Sequence, residues 1–107
     1  MQNAWASKMM TIENTLRRVR STLKFKKELR RSEKQGKNTA LAEKIITMLA
    51  NDEPLPPKHR DHALTGDWIG FRECHITPDW LLIYHKSDSG ELLLVLARLA
   101  SHSELGF

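Results

Sequence analysis

Polar side chains of three chemically useful types lie close together between residues 66 and 84. This stretch reads G-D-W-I-G-F-R-E-C-H-I-T-P-D-W-L-L-I-Y and contains Arg72, His75 and Asp79. Histidine exchanges protons near neutral pH, so it suits both halves of acid–base catalysis, and a cation stabilises developing negative charge. These residue types fit metal-free phosphoryl chemistry on RNA, in which a base takes the 2′-hydroxyl proton and an acid protonates the leaving 5′-oxygen.

The spacing of the metal-ligating residue types gives no support for a metal or cofactor. Five histidines occur, at positions 59, 62, 75, 85 and 102, and none belongs to an H-E-x-x-H motif. Neither phosphate-binding glycine motif, G-x-x-x-x-G-K-[ST] or G-x-G-x-x-G, is present. We therefore expect no metal and no cofactor. The single cysteine, Cys74, is predicted to be a small core residue.

The size and composition of the chain predict one domain that is not inserted in a membrane. The 107 residues include 40% hydrophobic and 28% charged residues, as in ordinary globular proteins. No apolar run approaches the roughly 18 residues of a membrane span. The N-terminus lacks the apolar segment of a signal peptide, so we expect a cytoplasmic location.

The positive charge is concentrated near the N-terminus. Residues 17–37 hold ten Lys or Arg and two Glu, a local charge of +8 in a chain whose total is +4. Such a block is typical of a surface that binds nucleic-acid phosphates, although a solvated helix face is the commoner origin of a charge run. The candidate RNA-binding residues are Lys24, Lys26, Lys27, Arg30, Arg31 and Lys34.

The N-terminal half is predicted to form a strand and two helices. Residues 1–14 show no period and are expected to be a loose extension, and residues 15–21 alternate weakly as a strand does. Ser21 or Thr22 is expected to cap a helix that ends at Gly36. Asn38 or Thr39 is expected to cap a second, more clearly amphipathic helix, which the proline-rich segment 51–57 ends.

Three strands are predicted in the C-terminal half, over residues 70–76, 80–86 and 91–100. The last is the most apolar and is expected to be central in the sheet. The order β-α-α-β-β-β predicts an α+β fold, with two helices packed on one small, mostly antiparallel sheet.

Three motifs resemble the YafQ branch of the RelE/ParE toxin superfamily. They are D-H-A-L-T-G at 61–66, R-E-C-H-I-T-P-D at 72–79 and S-H-S-E-L at 101–105, and the resemblance covers roughly residues 15–107. It implies a RelE-like fold and a bacterial type II toxin. Such toxins cut mRNA in the ribosomal A site with the RNA's own 2′-hydroxyl, and an antitoxin, often of the ribbon-helix-helix type, neutralises them.

The resemblance also implies roles for individual residues. The positions that match the family's active site are His62, His75, Asp79 and His102. A second set, which would bind RNA or the transition state, consists of Arg98, Arg72 and Phe107. His59 and His85 match no family histidine and are expected to be ordinary surface residues.

Two positions depart from the family's pattern at the C-terminus. Gly106 is inserted before Phe107, and Ala100 replaces a glycine. These departures keep open a catalytically weak module of the same fold that binds antitoxin or RNA. A ParE-like gyrase inhibitor is the other alternative, but its relatives generally lack this histidine set.

Overall fold

Two α-helices pack on a five-stranded sheet in the computed structural model, which describes residues 14–107. The predicted extension at residues 1–14 therefore lies outside the described residues, apart from Asn14. The strands and α-helices, in chain order, are β1 (Arg18–Ser21), α1 (Leu23–Lys34), α2 (Thr39–Ala50), β2 (His62–Ala63), β3 (Arg72–Thr77), β4 (Trp80–Ser87), β5 (Leu93–Ala100) and α3 (His102–Leu105). The predicted α+β class and the predicted order are confirmed, while β2 and α3 are elements that the sequence reading missed.

The strands lie in the order β1-β5-β4-β3-β2. β1 pairs with β5 in parallel, and the remaining neighbours pair antiparallel. The apolar strand β5 is internal, as its composition predicts, but the middle position belongs to β4. The two-residue strand β2 adds a fifth strand beyond β3, and this strand makes β4 rather than β5 the middle one.

Both helices begin at the predicted capping positions. The Thr22 hydroxyl accepts the Phe25 N–H at 3.0 Å, and the Asn38 side chain accepts the Leu41 N–H at 3.1 Å. Each cap satisfies one of the amide groups that a helix start leaves without a partner. α1 ends just before Gly36, whose φ of 76° favours glycine. Within residues 14–107, no helix is long and apolar enough to span a membrane.

The core lies between the two helices and one face of the sheet. Phe25 and Leu29 from α1 are buried there with Ile45 from α2 and with alternate residues of the strands. Cys74 is fully buried among them, as predicted, and burial raises the pKa of its thiol. Because strand side chains alternate, the burial of Cys74 on the core side places its neighbours Glu73 and His75 on the opposite face.

His59 is not a surface residue, contrary to the prediction. It ends a short 3₁₀ helix, Pro57–His59, and only 6% of its surface is exposed. Its Nδ1 lies 2.7 Å from the carbonyl oxygen of His75, so the ring supports the β3 backbone. His85 is partly exposed and packs edge-on against Phe71. The contact between His59 and the His75 carbonyl could not be predicted from the sequence, because the partner of His59 is a backbone atom 16 residues away.

Candidate active site

Three histidine rings, hereafter the histidine row, lie side by side on the outer face of the sheet. His62 comes from β2, His75 from β3 and His102 from the first position of α3. The ring centroids are 6.5 Å apart between His62 and His75, and 5.4 Å apart between His75 and His102. The fold thus brings together residues that are up to 40 positions apart in the chain.

Backbone geometry orients the ring of His62. Arg60 adopts a left-handed conformation with φ of 46°, and its carbonyl oxygen lies 2.6 Å from His62 Nδ1. A carbonyl can only accept a hydrogen bond, so Nδ1 carries the proton. In the neutral ring Nε2 then holds the lone pair, and this atom lies 3.6 Å from Glu73 Oε1.

Glu73 is a site residue that the sequence reading missed. Its side chain is 6% exposed, and Oε1 lies 3.4 Å from His75 Nε2 as well as near His62. Among residues 14–107, no protein atom hydrogen-bonds the buried Oε2. Glu73 therefore places a buried carboxylate oxygen beside the Nε2 atoms of both rings. The alternation of Glu73 and His75 along one strand face is the signal that could have identified it.

Asp79 holds His102 through two hydrogen bonds. Its Oδ1 accepts the backbone N–H of His102 at 2.9 Å and lies 2.7 Å from the ring nitrogen Nδ1. These bonds, the backbone one first, hold the pKa of Asp79 below its usual value. The carboxylate therefore fixes the proton on Nδ1 and leaves Nε2 of His102 to exchange a proton with a substrate.

A polar cluster supports the segment that carries His62. The Tyr84 hydroxyl donates to Asp61 Oδ1 at 2.6 Å, and Arg72 Nε lies 3.3 Å from the same oxygen. Burial, followed by the contact with Asp61, raises the pKa of the Tyr84 hydroxyl, which keeps it a donor. Arg72, proposed from the sequence as an RNA-binding residue, is thus placed beside Asp61 rather than in the histidine row.

Arg98 is paired with an acidic residue of α1. Its Nε and Nη2 each donate to a carboxylate oxygen of Glu28 at 3.0 Å, and Glu28 Oε1 also accepts the Leu99 N–H. Register places Arg98 opposite Ile83, which is itself opposite Glu73. Directly paired residues share a sheet face. Arg98 therefore lies on the same sheet face as Glu73, in line with it across the strands. Two nitrogen atoms of its guanidinium group donate hydrogen bonds to Glu28.

Phe107 reaches the histidine row despite the inserted Gly106. Gly106 adopts φ of 79°, and the Phe107 N–H donates back to the His102 carbonyl at 3.1 Å. The chain therefore turns, and Phe107, half exposed, lines a cleft of about 320 Å³. The residues around this cleft are His62, Leu64, Thr65, Trp68, Glu73 and Phe107. Trp80, by contrast, is a packing residue with 2% exposure.

The six candidate RNA-binding residues of α1 are all exposed. One of them, Arg31, forms a salt bridge with Glu104 of α3. In the part of the chain that the structure describes, no group of three or more His, Cys, Asp or Glu side chains has a metal-binding arrangement.

Comparisons with known proteins identify relatives of similar sequence and fold. The mRNA interferase toxin YafQ of Escherichia coli K12 is 35% identical over 82 residues, which cover 76% of this chain and 86% of the relative. The crystal structure of a metal-bound toxin from Helicobacter pylori is 43% identical with a TM-score of 0.77, covering 82% of this chain and 97% of that one. YafQ in the Escherichia coli DinJ–YafQ toxin–antitoxin complex is 33% identical with a TM-score of 0.75, covering 84% and 97%.

The family profile described as "Bacterial toxin of type II toxin-antitoxin system, YafQ" matches residues 17–106. The match includes every described strand and helix and the whole histidine row. It confirms the resemblance seen in the sequence motifs. This chain therefore belongs to the YafQ family of bacterial type II toxins.

Proposed function

We propose that this chain is an endoribonuclease toxin that cleaves mRNA on the ribosome by acid–base catalysis. The observation that carries the proposal is the histidine row. Two of its rings have Nδ1 held by an oxygen acceptor, at 2.6 Å for His62 and 2.7 Å for His102, so that Nε2 is the exchanging atom in both. The name of the Escherichia coli relative, an mRNA interferase, supports the same reaction class.

The proposed reaction needs one base and one acid. An imidazole takes the proton of the RNA 2′-hydroxyl, and the new O2′–P bond forms as the P–O5′ bond breaks. A second, protonated imidazole gives its proton to the leaving 5′-oxygen, which yields a cyclic phosphate and a 5′-hydroxyl. Positioned acids and bases of this kind contribute roughly 10²–10⁴-fold each. His62, His75 and His102 are the candidates for the two roles, and Asp79 holds His102 in the tautomer that it needs.

Two further groups fit the same reaction. Phe107 and Trp68 on the rim of the cleft offer aromatic faces on which an RNA base can stack, an interaction worth roughly 1–3 kcal/mol. Arg98 lies in line with Glu73 across the sheet, and its positive charge would stabilise the charge that builds on the phosphate. We propose Arg72 for a supporting role through Asp61 and the segment that carries His62.

The proposed partners are the ribosome, its mRNA and a cognate antitoxin. A toxin of this activity must be held inactive in the cytoplasm of the cell that makes it, and the Escherichia coli relative is seen in a complex with the antitoxin DinJ. We expect expression of this chain alone to arrest growth and co-expression of its antitoxin to restore it. Growth that is unaffected by the unpaired chain would contradict the toxin activity.

The decisive experiment compares cleavage of one mRNA in two settings. Purified protein is added to programmed ribosomes and, separately, to the same mRNA without ribosomes, and the ends of the products are identified. We expect cleavage only on ribosomes, with a cyclic or 3′-phosphate and a 5′-hydroxyl at the cut. Absence of cleavage in both settings would favour the binding-module alternative, and DNA damage without transcript cleavage would favour gyrase inhibition.

The exposed basic face of α1 is proposed to bind ribosomal RNA phosphates. Reversing the charge of Lys24, Lys27 and Lys34 should weaken ribosome binding and lower the slope of log affinity against log salt by about one unit per lost contact. Binding would be measured at several salt concentrations. If the affinity for the ribosome and its salt dependence were unchanged, the basic face of α1 would be a solvated surface that does not bind ribosomal RNA.

A further inference from the structure

His102 is carried by an element that cannot be stable by itself. α3 has four residues, His102–Leu105, which make a single turn. Nucleation makes isolated helices shorter than about 12 residues marginal even in favourable sequences. The position of His102 in the histidine row therefore depends on contacts that hold this turn in place.

Glu104 makes the first of these contacts within the turn. The Ser101 hydroxyl accepts the Glu104 N–H at 3.3 Å, while Glu104 Oε1 accepts the Ser101 N–H at 3.0 Å. This reciprocal pair is a capping box, which satisfies two amide groups at the start of a helix. It fixes the backbone on both sides of His102.

The second contact ties the turn to the body of the protein. The other carboxylate oxygen of Glu104, Oε2, is paired with Arg31 Nη2 near the end of α1. Glu104 thus uses one oxygen to cap the turn that contains His102 and the other to bind a helix that belongs to the core. The backbone hydrogen bond from Ser101 is the main cause that holds the pKa of Glu104 below its usual value, so Glu104 is ionised at neutral pH.

We infer that Glu104 and Arg31 are positioning residues for His102, acting as a brace between α1 and the C-terminal turn. The inference deepens the proposed function and rests on it for the role of His102. The brace acts through Ser101 and the backbone of α3, and neither residue needs to touch RNA. Arg31 therefore differs from its neighbours in the basic block, because its charge is used inside the molecule.

The exposure of the pair predicts where its effect will be seen. Arg31 and Glu104 have side chains that are 50% and 40% exposed, and exposed ion pairs add little to global stability. The effect of breaking the brace is therefore local. It should appear in the geometry of His102 and in the rate of catalysis, while the melting temperature stays nearly constant.

The contact between His102 and Asp79 provides a readout that needs no activity. The pKa of Asp79 is lowered first by the His102 backbone N–H and next by the His102 ring, with Lys37 as a further charge nearby. If the brace breaks, His102 moves away from Asp79 and the pKa of Asp79 rises towards its usual value. Carbon-13 NMR of the Asp79 carboxyl measures this pKa directly, and Lys37 is unaltered throughout.

The experiment compares Glu104→Ala, Arg31→Ala and the double variant with two matched controls, Glu53→Ala and Lys44→Ala. Both control residues are exposed and lie outside the site. Glu104→Ala should raise the Asp79 pKa and reduce the single-turnover rate on saturating programmed ribosomes roughly tenfold. Arg31→Ala should act in the same direction with a smaller change, without altering the salt slope of ribosome binding. The double variant should resemble Glu104→Ala rather than the product of the two effects.

A conservative variant protects the test against unfolding. Glu104→Gln keeps an oxygen for the Ser101 N–H but loses the charge that binds Arg31, so it should lie between wild type and Glu104→Ala in both readouts. An unchanged Asp79 pKa in Glu104→Ala would overturn the inference whether or not the protein cleaves RNA. A wild type that is inactive, with an Asp79 pKa that still responds to Glu104→Ala, would overturn the proposed function and leave the brace standing.

Discussion

His62 and His102 lie at the two ends of the histidine row, and the protein holds them in opposite ways. His62 is on a strand of the sheet and faces Glu73, a carboxylate with 6% exposure. His102 is on a one-turn helix and faces Asp79, a carboxylate with 69% exposure. Buried charges interact more strongly than exposed ones, because little water screens them. The two ends therefore differ in how each ring is held: the Arg60 carbonyl orients His62 beside the buried Glu73, whereas the exposed Asp79 holds His102 in a capped turn.

The largest effect is expected from His102→Ala. Loss of a general acid or base should reduce single-turnover cleavage of ribosome-bound mRNA roughly 10²–10⁴-fold. The side chain is exposed, so the free energy of unfolding should change by no more than about 0.5 kcal/mol. His85→Ala is the matched control, because His85 packs against Phe71 outside the row. Equal rates for the two variants, or a His102→Ala protein that has unfolded, would refute the role assigned to His102.

Glu73→Gln tests the buried end of the row. The substitution removes the negative charge beside the Nε2 atoms of His62 and His75, and the cleavage rate should fall about 10- to 100-fold. Stability should be unchanged or slightly higher, since the substitution removes a buried negative charge, one oxygen of which has no partner within residues 14–107. Cleavage rates and urea unfolding would be measured together. A large loss of stability with a normal rate would show that Glu73 serves the fold alone.

Asp79→Asn tests the exposed end and should have a smaller effect. The amide oxygen can still accept from the backbone N–H and the Nδ1–H of His102, but it carries no negative charge, so both hydrogen bonds become weaker. We expect a decrease in rate of roughly tenfold, less than for Glu73→Gln because solvent screens this pair. Measuring both variants under one set of conditions tests the comparison itself. An Asp79→Asn defect that exceeds the Glu73→Gln defect would reverse the ranking of the two ends.

The smallest effect is expected from Asp52→Asn, which changes a carboxylate outside the candidate active site. Arg17 and then Lys86 lower the pKa of Asp52 to about 2, and a carboxylate of depressed pKa stabilises the fold above its unfolded pKa of roughly 4. Asp52→Asn should cost about 1 kcal/mol at pH 7, since partial exposure screens the pair. The difference should vanish as the pH falls towards 2. The free energy of unfolding would be measured at both pH values, with Glu53→Gln as the control variant. The Asp52→Asn variant should cleave at the wild-type rate, which would show that the Asp52 cluster does not act in the histidine row.

Local patterns in the sequence predict most of the fold. The caps at Thr22 and Asn38 and the glycine after α1 each depend on neighbouring residues, and the structure places these features as predicted. The two-residue strand β2 has no pattern of its own, because its pairing depends on where β3 lies. The capping box of α3 was present as S-x-x-E and could have been found at Ser101.

The histidines of the site could be predicted from the sequence, but the residues that hold them and their strands in place could not. Family motifs mark His62, His75, Asp79 and His102, which the fold brings into one region. The burial of His59 and the pairing of Arg98 with Glu28 depend on tertiary contacts, the latter 70 residues apart in the chain. Periodicity cannot reveal such contacts. Whether each site residue acts in catalysis stays a prediction for the variants above.

The parallel pairing of β1 with β5 has a consequence for how the chain folds. Arg18 lies opposite Leu93, so the first strand pairs with a segment that lies 75 positions later in the chain. Pairing between such distant segments is slow, because a long loop must close before any contact is gained. We therefore expect the pairing of β1 with β5 to be a late step in folding, made after the local contacts within the helices.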